Sequence, residues 1–252
     1  MKKILFLLTA LIALTTCVSV QAATKQKVTE RRQVGHFERI KLVGSPKIKY
    51  VQGTTESVVV TAPKELVKRV QTYVEGNRLV VSMKGGRISI LNFGDTDAGK
   101  VVVTVTSPDL IGVELQGSGE FDCEGHLDTD NLNIQLKGSG DIDFKDIICD
   151  NLTVSVVGSG DLDIKKVIAH RASIELVGSG DVEISEQRVG NTKVELKGSG
   201  DVKLKLSDCG VVDTRLLGSG DITLSGTVRK HNSYQRGSGD VHTRSLHVVN
   251  KK

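Results

Sequence analysis

The 252-residue chain has no tryptophan, three prolines and only 3% aromatic residues. So few flat rings leave little to stack against sugars. Charge of either sign is also scarce in excess: 34 Lys and Arg face 30 Asp and Glu, a formal balance of +4. That excludes the one-sided basic footprint of a general nucleic-acid binder. The motifs of familiar catalysis are missing as well: no His-Glu-x-x-His, no Gly-x-Ser-x-Gly and no Cys-x-x-Cys. His36, His126, His170, His231, His242 and His247 nowhere pair at metal-ligand spacing within one strand. No cofactor is expected.

Long apolar runs are absent too, with one exception at the start. Lys2 and Lys3 precede an apolar run from Ile4 to Leu14, and small residues follow at Val20-Gln21-Ala22. This is the layout of a secretory signal, and the run is too short to span a bilayer as a helix. Residues 1–23 are therefore expected to direct export to the periplasm, cell surface or medium and then be removed, with no transmembrane segment left. The alternative, a lipoprotein anchored through Cys17, meets a poor lipobox, because the residue before the cysteine is Thr16.

What the chain has is glycine, 27 in all, and it is placed with a period. Gly178-Ser179-Gly180-Asp181 occurs almost unchanged seven times, beginning at Gly117, Gly138, Gly158, Gly178, Gly198, Gly218 and Gly237, in steps of 21, 20, 20, 20, 20 and 19 residues. So strict a period marks stacked structural repeats. Within each copy apolar and polar residues alternate, as in Ala172, Ile174 and Leu176 before the glycines and Val182 and Ile184 after them. A period of two, with many Val, Ile and Thr, is that of strands. Each repeat thus offers two short strands with one apolar face, and stacking the copies buries that face continuously.

Twenty residues are too few for a propeller blade of about 40, and the leucine-rich pattern is absent. The expected fold is all-β: a right-handed parallel β-solenoid over 110–248 with rungs of about 20 residues. Residues 24–109 form an irregular β section that continues or caps it, and 249–252 are a tail. In that section strands are expected at 37–43, 57–62, 70–75, 78–83 and 101–106, with a short helix or turn at 63–66 and a loop at 85–99. Leu42-Val43-Gly44-Ser45-Pro46-Lys47-Ile48 reads as a degenerate first rung. Both glycines of each corner are expected to face the core where a Cβ would clash. Cys123, Cys149 and Cys209 fall on inward columns and are expected to be reduced and buried. Cys149 and Cys209, three rungs apart, stand roughly 14 Å from each other, beyond disulfide reach.

The outward columns carry the chemistry. One reads Glu120, Asp141, Asp161, Asp181, Asp201, Asp221 and Asp240; the next reads Asp122, Asp143, Asp163 and Glu183 before Lys203 and Thr223. Such a stripe either uses its carboxylates in turn hydrogen bonds beside lysines or holds calcium, which favours oxygen-rich sites. Asp141, Asp143, Asp161, Asp163, Asp181 and Glu183 are the calcium candidates. A polysaccharide lyase or hydrolase on a β-helix would also use carboxylates on one face. Here the acids recur in every rung, which is the pattern of a scaffold rather than of one catalytic site.

Val34-Gly35-His36-Phe37-Glu38-Arg39-Ile40, the Gly44-Ser45 turn, Tyr73-Val74-Glu75-Gly76-Asn77-Arg78-Leu79 and the Gly-Ser-Gly-Asp rungs together resemble the putative autotransporter adhesin, head GIN domain family. The name-giving Gly-Ile-Asn gives way to Gly-Ser-Gly here. The resemblance spans nearly the whole mature chain and implies a secreted bacterial β-helix with an adhesin's role. It assigns no functional residues. The reading is of an exported, non-catalytic scaffold or adhesion module for a surface glycan or envelope protein. The alternative is a calcium-binding or carbohydrate-active β-helix protein. The sequence carries no signal for the oligomeric state.

Overall fold

The structure is a computed structural model that describes residues 26–84 and 101–249. The expected signal at 1–23 and the expected loop at 85–99 lie outside those residues. The first elements are β1 (Lys27–Arg32), β2 (Arg39–Gly44), β3 (Lys47–Gln52), β4 (Ser57–Pro63), α1 (Lys64–Val67), β5 (Val70–Glu75), β6 (Arg78–Met83) and β7 (Val102–Ser107). The repeat region follows as β8 (Gly112–Gly117), β9 (Glu120–Gly138), β10 (Asp141–Gly158), β11 (Asp161–Gly178), β12 (Asp181–Gln187), β13 (Asn191–Gly198), β14 (Asp201–Gly218), β15 (Ile222–Gly237) and β16 (Val241–Val248).

Successive repeats pair parallel and in register, forming a β-solenoid. Between β10 and β11, Asp141 lies beside Asp161, Leu152 beside Ala172 and Gly158 beside Gly178. The same order continues to β14 and β15, where Gly218 meets Gly237. The stretch between the two strands of each repeat also joins the ladder. β9, β10, β11 and β14 therefore run 18 or 19 residues from corner to corner. Identical rungs make this possible, because a bend in one is matched by the same bend in the next.

The inward columns are filled as their spacing requires. Ile134, Val154, Ile174 and Val194 form one buried line, and Leu136, Val156, Leu176, Leu196 and Leu216 another. Each such side chain contributes roughly 1.5–3 kcal/mol by leaving water. The scarce aromatics are spent in the first rungs: Tyr50 stacks on Phe121 at 6.2 Å, and Phe121 meets Phe144 at 5.4 Å. Cys123, Cys149 and Cys209 are buried with free thiols, and burial pushes the first two up to about 11.

The corners depart from expectation in one respect. Gly180 is buried, and a Cβ there would stand 2.0 Å from the carbonyl oxygen of Gly160. Gly178 is only half-buried; its φ of +138° suits glycine, and its missing Cβ would meet the Gly158 oxygen. What excludes a side chain is thus chiefly the rung beneath, not the core alone.

Leu42–Ile48 is a rung of the same stack. β2 pairs parallel with β8, Gly44 beside Gly117, and β3 pairs parallel with β9. Around it the N-terminal section adds antiparallel neighbours: β5 with β6, β4 with β7, and β1 with β4. At the other end β16 is exposed or half-buried throughout. Ser233 and Gln235, on the preceding β15, occupy the inward columns above Thr214 and Leu216 and are exposed to water.

Candidate functional site

The acidic stripe begins immediately after each Gly-Ser-Gly corner. Its first column is built into the fold. The Asp181 amide donates to Asp161 Oδ1 at 2.9 Å, Asp201 N to Asp181 Oδ1 at 3.2 Å, and Asp221 N to Asp201 Oδ1 at 3.1 Å. Each carboxylate therefore accepts from the next rung rather than from its own turn, which couples rung to rung. In the second column lysines intervene: Lys165 Nζ lies 2.5 Å from Asp163 and Lys205 Nζ 2.6 Å from Glu183. At the N-terminal end Lys47 bridges Glu120 and Asp122.

Between these supports lie Asp141 and Asp143. Burial, with Asp161 and Glu120 beside it, holds the Asp141 carboxyl above its usual range. Burial again comes first for Asp143, followed by Asp163 and Asp122. The six calcium candidates thus share one stripe, Asp141 beside Asp161 and Asp143 beside Asp163, but Asp141, Asp161 and Asp181 accept from amides of the next rung, while Asp163 and Glu183 face lysines. Among the described residues no three His, Cys, Asp or Glu side chains gather as a group that could hold a metal ion.

A second acid escapes sequence reasoning. Counting 20 residues back places Glu186 over Lys166, on the outside. The ladder slips by one between Ile164 and Val167, so Glu186 pairs with Val167 and then with Leu206. It occupies an inward column otherwise filled by Leu127, Ile147 and Val167. Glu186 is only 1% exposed. Its Oε2 accepts from Thr192 Oγ1 at 2.6 Å, and its Oε1 is buried without a partner. Burial pushes its pKa up to about 7, against the pull of the Thr192 bond. This rung is also interrupted: β12 stops at Gln187, Arg188 takes a left-handed φ of 57°, and β13 starts at Asn191. Val189 restores the inward line, which is why the 20-residue period hides the slip.

The face carried by β6, β2, β8 and β9 holds a third feature. Register places Arg78 beside Arg39, Arg39 beside Gly112, and Gly112 beside Asn133. In the next row Lys41 Nζ and Arg78 Nη1 reach Glu114 at 3.2 and 3.3 Å. Burial would raise the Glu114 pKa, but the Lys41 ammonium overrides it and holds the carboxyl below its usual range. Arg78 Nε is buried without a partner. The Arg39 side chain is exposed and has no hydrogen bond or ion pair among the described residues. A depression of about 80 Å³ lies between these groups, bordered by Asn133 and Gln135.

A family model described as putative auto-transporter adhesin, head GIN domain matches residues 36–208 and 169–252. No curated protein matches the chain. Among solved structures, a putative adhesin from Bacteroides fragilis is 26% identical, with a TM-score of 0.75, over 87% of this chain and 97% of that one. A putative adhesin from Parabacteroides distasonis is 19% identical, with a TM-score of 0.68, over 87% and 97%. A putative lipid binding protein from Parabacteroides distasonis is 19% identical, with a TM-score of 0.63, over 90% and 98%. These last two share the fold.

Proposed function

The chain belongs to the putative auto-transporter adhesin, head GIN domain family, and on that premise we propose that it is an exported, non-catalytic β-solenoid whose flat ladder faces bind a surface glycan or an envelope protein. The observation that carries this reading is the shape of the acidic stripe. From β8 to β12, and again from β13 to β14, the strands are joined at their Gly-Ser-Gly corners by two residues, as with Ser159-Gly160 between β10 and β11. Among the described residues no loop rises beside the acids to wall a groove. The first-column carboxylates are engaged with backbone amides of the next rung, a structural use that recurs along the stack. An extended, repeating surface suits many shallow contacts with an extended ligand better than one reaction centre. No helix of the described residues is long and apolar enough to cross a membrane.

The test is a glycan-array and envelope-extract pull-down with the mature protein, with and without calcium. Selective, calcium-independent capture supports the reading. Turnover of a polysaccharide, or a rise in melting temperature with calcium that Asp181→Asn abolishes, would replace it with the enzyme or metal alternative.

A further inference from the structure

We propose that Arg39 and Arg78, beside the gap left by Gly112, form a subsite for the carboxylate or sulfate group of an acidic saccharide. The inference deepens the binding role proposed above and rests on it.

Arg39 and Arg78 stand at paired positions of neighbouring strands, where like charges are destabilising and a nearby anion offsets the repulsion. Glu114 supplies one, but Lys41 and Arg78 both engage it. Arg39 is left without a carboxylate among the described residues, and Arg78 keeps a buried Nε with no acceptor. Donors therefore outnumber acceptors at this spot. The planar fork of an arginine suits a carboxylate or sulfate through two parallel hydrogen bonds. Gly112 supplies the room: a Cβ there would stand 3.3 Å from Arg39 Nη1 and 3.5 Å from the Asn133 carbonyl oxygen. The depression of about 80 Å³ holds one anionic group, not a whole sugar ring.

The surface that leads away from the arginines favours a saccharide over an acidic peptide. Along the same row Asn133 is followed by Thr153 and Ser173 before Lys193, and in the next row Gln135 is followed by Ser155 before Glu175. None of the five that precede Lys193 and Glu175 is charged. At a rung spacing of about 4.8 Å the first row extends roughly 14 Å from Gly112 to Ser173. Hydroxyls and amides over that length complement a hydroxyl-rich chain, with its acid placed at the arginine end. A polyanionic peptide would instead run against Glu175 and meet its next cation along the row only at Lys193.

The test is calorimetric titration of the mature protein at low salt with four probes: a short oligogalacturonate, a sulfated dextran oligosaccharide, plain dextran oligosaccharide and a poly-aspartate peptide. Both acidic saccharides should bind, and plain dextran should not. Arg39→Gln should weaken the acidic saccharides at least about tenfold, the scale of one lost charged hydrogen bond. Arg39→Lys should fall between, because lysine keeps the charge but not the fork. Gly112→Val should weaken binding by filling the gap, and Lys203→Gln on the other face should leave it unchanged. An unaltered melting temperature for Arg39→Gln shows that the fold is intact. Equal binding of plain dextran, tighter binding of poly-aspartate, absence of binding, or indifference to Arg39→Gln would each overturn the subsite. Array capture that survives Arg39→Gln would sink the subsite and leave the general binding role standing. An array and pull-down that capture nothing with the wild type would sink both.

Discussion

Glu186 makes the stability of this solenoid depend on pH in a direction opposite to that of most carboxylates. Its pKa stands at about 7 in the folded chain against 4.5 for an ordinary glutamate. The folded state therefore holds this proton more tightly than the unfolded state does. Its stabilising contribution is fully present below pH 4.5, shrinks as pH rises, and is gone above about 7. A gap of about 2.5 units, at 1.36 kcal/mol each, amounts to roughly 3 kcal/mol. For a domain of this size that is roughly 6–12 °C in Tm. Glu186→Gln keeps the shape and an oxygen to accept from Thr192, but it cannot ionise. The assay is urea denaturation of the mature wild type and of Glu186→Gln at pH 5, 6, 7 and 8. The acids common to both proteins, including Asp141 and Asp143, cancel in the difference. The wild type should lose about 2–3 kcal/mol relative to the variant between pH 5 and pH 8, since part of the full gap is already lost at pH 5, with the variant the more stable at pH 8. A difference that stays level across that range would refute the reasoning and place the Glu186 carboxyl in water.

Further outcomes follow from the stack. Gly180→Ala should cost at least the roughly 1–3 kcal/mol of an overpacked core, because its Cβ would meet a backbone oxygen at 2.0 Å; Gly35→Ala, with nothing within 4 Å, should be nearly neutral. Thermal melts of the two variants compare them directly. In calcium-free buffer Asp181→Asn should change stability by less than about 0.5 kcal/mol, since its oxygen still accepts from Asp201, while Asp181→Ala should lose about 1 kcal/mol with that bond. Amide hydrogen exchange should run faster over 233–243 than over 172–184, since the last rung is hydrated where the middle of the stack is dry; equal protection would contradict the exposure of Ser233 and Gln235. Thiol titration of unfolded, unreduced mature protein should count three.

The rung order, the inward columns and the first rung at Leu42–Ile48 were legible because each depends on one residue type recurring at one interval. Glycine at the corners sets the phase, and alternation between corners sets which side is buried. What was illegible depends on partners rather than on intervals. Glu186 turns inward through a one-residue slip that Arg188 compensates at once, so no count of 20 reveals it. The Asp column was readable as a hydrogen-bonding device, but not that its donor is the amide one rung ahead. Nor does alternation say that β4, β5 and β1 lie antiparallel, since strand periodicity is blind to direction. The Arg39–Arg78 pair is separated by 39 positions in a section without repeats, and only the register of β2 and β6 brings it together.

The exposed final rung has a mechanical consequence. The chain enters the stack at one end and leaves it at the other, so a pull between the ends runs along the axis, across the ladder. Tension so directed parts hydrogen bonds a few at a time, like a zipper, instead of shearing a whole strand at once. β16, lightly packed and open on its outer edge, is where parting would start. Each rung set free then pays out about 20 residues, roughly 70 Å of slack when extended, before the next must yield. A stack built this way lengthens in steps under load while its dry middle remains folded.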